Sequence, residues 1–160
     1  MTRIIYVLVL TVFMSGMMDG VRESTAQRVL PELPFVELHK ADYTQNSRFT
    51  KKQTKVITSQ ADYAAELAIY TTAAPVSVDF TNGRVLLVDM GVRNTGGYSI
   101  AVTSVNATRN SVIANISLTK PGKYCATTQS LTNPYQFVFI PSLDEILISE
   151  TVETTRCKAF

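Results

Sequence analysis

The 160-residue sequence has no tryptophan, one histidine (His39) and two cysteines (Cys125 and Cys157). That inventory cannot supply the four side chains of a Cys/His zinc site within one chain. A cysteine nucleophile would have only His39 as its base, and His39 falls in an early strand candidate. Excess charge of one sign is missing too. Fifteen basic and thirteen acidic side chains leave a formal charge of +2, too little for a general attraction to nucleic acid or an anionic membrane. There is no internal repeat and no low-complexity segment. A G-x-S-x-G elbow, a P-loop, a Rossmann glycine fingerprint and an H-E-x-x-H pair are all absent. No residue set calls for a cofactor or a metal. Asp79 and Asp89 flank Asn82-Gly83 and could meet across that turn, yet two carboxylates make only a weak calcium site. Asp144 and Glu145 are neighbours, and in a strand they point to opposite faces.

Hydrophobic residues make up 46% of the chain, enough for a core in a single domain of this length. Arg3 precedes an apolar run from Ile4 to Met14, shorter than the ~20 residues of a membrane span. A basic start, a short apolar run and Ser24-Thr25-Ala26 predict a signal peptide over 1–26, with a retained membrane anchor as the alternative. The expected layout is then a linker over 27–34, a domain over 35–153 and a tail over 154–160. The mature chain would be periplasmic or extracellular, with no membrane insertion. Export would place Cys125 and Cys157 in an oxidising space, where two thiols pair. The bond would stabilise by about 3–4 kcal/mol through loop closure. Two unpaired thiols are the alternative.

Phe35–His39 reads as a short strand, and Val56-Ile57 as the end of another. Between them Arg48, Lys51, Lys52 and Lys55 form either a docking patch or, the favoured reading, a solvated edge that blocks strand pairing. Ser59 can cap a helix whose Tyr63, Leu67 and Tyr70 recur at helical spacing, with Asp62 in its first turn. The rest reads as strand: Val76–Phe80 before the Asn82-Gly83 turn, the nearly continuous apolar run Val85–Met90, and the alternating stretches from Tyr98 and from Ser111. Gln136–Ile140 and Glu145–Ile148 follow. One helix with six to eight strands predicts an α+β domain, mostly antiparallel sheet with one main helix packed on it. Asn106-Ala107-Thr108 and Asn115-Ile116-Ser117 fit the N-glycosylation pattern.

The segment Gly91–Ile100 carries the clearest functional signal. Its three glycines permit positive φ and close approach of another backbone. Asn94 and Thr95 can bond the turn through their side chains. The loop is either an exposed binding edge or a bulged connection between strands.

These residues resemble the PrcB-type protease-complex subunit family of exported bacterial proteins. The resemblance rests on Val78-Asp79-Phe80, the Val85–Gly91 strand, Asn94-Thr95-Gly96-Gly97-Tyr98-Ser99-Ile100, and Thr132-Asn133-Pro134-Tyr135-Gln136-Phe137-Val138. Asn94 stands where the family's usual motif has Pro, and no Cys is present near the leader for lipid attachment. The resemblance implies a non-catalytic partner of an exported protein, a protease, that supports its assembly or stability. It brings no catalytic residues and no cofactor. The expected partner-binding residues are Asn94, Thr95, Gly96, Gly97 and Tyr98. In an alternative reading, the same loop is similar to the inhibitory loop of chagasin-like cysteine-protease inhibitors.

Overall fold

The computed structural model describes residues 30–45 and 51–158. The expected leader over 1–26, the first residues of the expected linker and Arg48 lie outside the described residues. Eight strands and one helix follow in the order β1 (Glu32–Leu33), β2 (Val36–Ala41), β3 (Gln53–Ile57), α1 (Gln60–Tyr70), β4 (Arg84–Asp89), β5 (Ser99–Ala107), β6 (Ser111–Lys120), β7 (Tyr135–Ile140) and β8 (Glu145–Thr154).

The strands form two four-stranded sheets, ordered β1-β5-β6-β8 and β2-β7-β4-β3. Their facing sides share one core. Leu86, Val88, Val138 and Ile140 of the second sheet meet Ile100, Val102, Val105, Val112, Ile116 and Leu118 of the first. A buried polar bond crosses this apolar layer. At the register shift in β5 between Val102 and Ser104, the Val102 N–H donates to buried Gln136 Oε1 of the opposite sheet at 2.7 Å. Gln136 Nε2 in turn donates to Glu37 at 2.6 Å, so the amide satisfies partners on two elements.

The expected α+β class, a sheet with one main helix packed on it, is corrected. The protein is mostly β, with two sheets packed on each other and a single 11-residue helix at the flank. Both faces of β4 are covered, as its nearly continuous apolar sequence requires. Its inner face lies against the other sheet. Its outer face joins a mixed cluster of Val85, Leu87, Tyr135 and Phe137 with Ile57, helix residues Tyr63, Leu67 and Tyr70, and partly buried Leu38, Val78 and Phe80. Local periodicity detects the strands but not their division between sheets. Ser59 caps α1, accepting from the Asp62 N–H at 3.1 Å.

Two further departures have physical causes. Val76–Phe80 is not a strand, because β4 already has β7 and β3 on its two sides. The segment instead bonds the Gln60 amide: Val78 N–H donates to Oε1 at 3.0 Å and Nε2 donates to the Val76 carbonyl at 2.9 Å. Asp79 organises the turn that follows, accepting from Thr81 N–H at 3.0 Å, Thr81 Oγ1 at 2.6 Å and Asn82 Nδ2. The Thr81 bonds, with help from Asn82, hold its carboxyl below the usual carboxylate range. Secondly, β8 pairs with β6 in parallel, while every other strand pair is antiparallel. The chain leaves β6, crosses to the other sheet as β7, and returns as β8.

Candidate functional site: a braced glycine loop

At the end of β4 the chain must turn without a hairpin partner. Gly91 makes that turn at φ 73°, and a Cβ there would sit 2.7 Å from the Lys51 carbonyl carbon. Gly97, at φ 84°, makes the second bend before β5. Between these glycines the backbone is fixed by a strap, residues 121–132. Arg93 and Thr132 exchange two backbone hydrogen bonds, of 2.7 and 2.9 Å. The Gly96 N–H donates to the Thr128 carbonyl at 3.0 Å, and Thr132 Oγ1 donates to the Thr95 carbonyl at 2.9 Å. A Cβ on Gly96 would collide with the Thr128 hydroxyl.

The strap is itself tied down. Cys125 is bonded to Cys157, with Cα atoms 5.0 Å apart, and the Thr155 N–H donates to the Lys120 carbonyl at 3.0 Å. The disulfide therefore links the strap to the chain that leaves β8.

Beneath the loop lies a buried polar cluster. Asp89 is fully buried at the last position of β4 and accepts three hydrogen bonds, from Asn133 Nδ2 at 2.6 Å, Gly91 N–H at 2.7 Å and Tyr70 Oη at 2.8 Å. Three donors offset the desolvation that burying a carboxylate demands. Gln53 Nε2 completes the cluster by donating to Tyr70 Oη at 2.8 Å. Burial, and secondarily the neighbouring Asp89 carboxylate, raise the Tyr70 hydroxyl far above its ordinary value. Burial also pushes Tyr135 up to about 12 and raises Tyr63. Asp79 and Asp89 do not meet across the Asn82-Gly83 turn. Asp79 is exposed in its own turn, and Asp89 points into this cluster.

The five expected partner-binding residues occupy one loop, but they differ in role. Asn94 and Gly97 are exposed, Thr95 is half-buried and Gly96 is buried. Tyr98 is half-buried, packed against the core between the sheets, with the Arg93 guanidinium 5.7 Å from its ring centroid. Asn94 and Thr95 were expected to bond the turn through their side chains. The bracing is done by backbone groups and by Thr132 instead, and neither side chain has a hydrogen bond among the described residues. Beside the loop, Tyr43, Thr44, Val92, Leu131, Thr132 and Asn133 line a depression of about 150 Å³. Asn133 is buried, and its Oδ1 has no hydrogen-bond partner.

Sequence reasoning passed over Asp89, Arg93, Thr132 and Asn133 as parts of this site. A faint signal existed: Asp89 is an acid closing an apolar run, and Asn133 precedes Pro134 at the mouth of another. His39 stacks on Tyr135 at 5.6 Å in β2, on the face away from the sheet–sheet core. Lys55, on edge strand β3, pairs with Glu66, and Lys52, just before that strand, pairs with Glu150. Asn106 and Asn115 bond one another at 2.8 Å on the β5–β6 hairpin. Among the described residues no group of three His, Cys, Asp or Glu side chains could hold a metal ion. Nor is any described helix long and apolar enough to cross a membrane.

No curated protein and no solved structure matches the chain. A family model does: residues 84–141, from β4 through the braced loop, the β5–β6 hairpin and the strap to the end of β7, match the PrcB C-terminal family.

Proposed function

We propose that this chain is a non-catalytic binding and assembly subunit that acts outside the cytoplasm, stabilising an exported protease complex and docking through Asn94, Thr95, Gly96, Gly97 and Tyr98. The observation that carries the reading is a rigid loop with unspent polar side chains, inside the segment that matches the family. Bracing by the strap removes ordering cost before a partner arrives, so contacts made by Asn94 and Thr95 go into affinity. Exposed Gly97 lets a partner backbone come close, and the Tyr98–Arg93 pair backs the loop.

The test is affinity isolation of the tagged chain from the envelope fraction of its native cells. A protease should co-purify at a fixed ratio and keep its activity. A captured protease that is inhibited moves the assignment to the chagasin-like reading. Isolation of the chain alone removes the protease partner from the account.

A further inference from the structure

We propose that the free edge of β8 is a second docking surface, separate from the loop, that takes an extended partner segment in which apolar residues alternate with basic ones. The described residues form four sheet edges, β1 and β8 in one sheet and β2 and β3 in the other. Exposed edges carry unpaired backbone groups, and proteins blunt them with short length, Pro, bulges or lysines. Strand β1 is two residues long, between Pro31 and Pro34. Strand β2 carries Lys40 and a register shift between Glu37 and His39. Strand β3 carries Lys55, with Lys51 and Lys52 just before it. Strand β8 has none of these four devices, and the one charge on its core side, Glu150, is paired with Lys52. It runs ten residues in unbroken register with β6, and contains no Pro, Gly, Lys or Arg.

The register also defines what would fit. Ile146, Ile148, Glu150 and Val152 pair with the core-facing residues of β6, so they share the core side of the sheet. Val152 nevertheless remains 60% exposed and Ile148 36%. Glu145 and Glu153 lie on the opposite, solvent side and have no ion-pair partner among the described residues, whereas Glu150 is engaged by Lys52. A strand added at this edge would place alternate residues beside Ile148 and Val152, and the others beside Glu145 and Glu153. Apolar residues suit the first set and Lys or Arg the second. A second copy suits it poorly. Two antiparallel registers pair nine of its ten residues with a second copy: the one centred on Ser149 sets Glu145 beside Glu153 twice, and the one centred on Glu150 sets Glu150 against its own copy.

The probes are a ten-residue peptide alternating Val or Ile with Lys and Thr, the same peptide with Glu for Lys, and the basic peptide with N-methylated backbone. Binding to the full chain is read by fluorescence anisotropy, alongside the variant Glu145→Lys/Glu153→Lys and its melting temperature. The basic peptide should bind saturably, about tenfold or more tighter than either control. The double variant should melt as the parent does and prefer the acidic peptide. Equal binding of the N-methylated peptide would mean charge attraction without strand pairing, and would overturn the proposal. So would failure of any peptide to bind, which is also what an edge already taken by a second copy or by the chain's own first 29 residues would give. Sedimentation of the parent as a dimer that Leu147→Lys dissociates would assign the edge to self-association instead. None of these outcomes depends on the protease partner or on the Asn94–Tyr98 loop.

Discussion

Strands β7 and β8 are consecutive in the chain, yet they live in different environments. Five of the six residues of β7 are buried, because β7 lies between β2 and β4 with a core on each face. All of β8 except Ile146 is exposed, because it has one strand neighbour and little above its core-side face. The same division runs through the polar groups. Gln136 in β7 and Asp89 beside it in β4 spend their hydrogen-bonding capacity inside the protein. Asn94 and Thr95 in the loop, and Glu145 and Glu153 in β8, have theirs in reserve. The centre of the β2-β7-β4-β3 sheet spends its polar groups inside the protein, and the loop and the β8 edge leave theirs unpaired.

Substitutions in the two strands test this division most strongly. Phe137→Ala removes a fully buried ring that packs on Tyr63, Tyr70 and Tyr135, and should cost about 3–5 kcal/mol in chemical denaturation. Val152→Ala should change stability by about 0.5 kcal/mol or less. A cost at Val152 near that at Phe137 would mean that the core side of β8 is covered, and the contrast would fail.

Cys157→Ser comes next. Cys125 and Cys157 are separated by 32 residues, so opening the bond should cost up to about 3–4 kcal/mol. The urea midpoint checks this. Two thiols reacting in the native protein without denaturant would contradict the bond itself.

A smaller effect is expected at the buried cluster. Tyr70→Phe removes one of three donors to Asp89, and should cost about 1–2 kcal/mol near neutral pH. The pH dependence has a defined sign. The folded-state values of Tyr70 and Tyr135 lie above the unfolded value of 10.0, so their contribution is complete below that pH. It is lost as pH rises from there through the folded-state values, about 12 for Tyr135. Denaturation midpoints at rising alkaline pH should therefore fall, and fall less steeply in Tyr70→Phe. Equal slopes would mean that Tyr70 does not carry the alkaline loss.

Where local physics sets the structure, the sequence was readable. The spacing of Tyr63, Leu67 and Tyr70 marked α1, and the alternation from Tyr98 and from Ser111 marked β5 and β6. The partition into two sheets and the parallel β6–β8 pairing were not readable, because strand partners are chosen by contacts far along the chain. Strand β8 was expected to end at Ile148 and runs to Thr154. An edge strand exposed on most of its surface needs no hydrophobic alternation, so Ser149–Thr154 carried no strand signal. The alternation of Val76, Val78 and Phe80 misled in the opposite direction, since half-burial beside α1 and the Gln60 amide imitates a strand signal. At the site, glycines and Asn94-Thr95 exposed the loop, but not its bracing. Thr132 and Asn133 reach Thr95 and Asp89 from 37 and 44 residues away, beyond any local pattern.

The most direct measurement for the proposed function pairs melting temperature with partner capture for Asn94→Ala/Thr95→Ala. Neither side chain braces the loop, so melting should be unchanged, while capture of the protease from the envelope fraction should be lost. Unchanged capture would contradict the account, because the partner would then bind elsewhere and the braced loop would be a turn only.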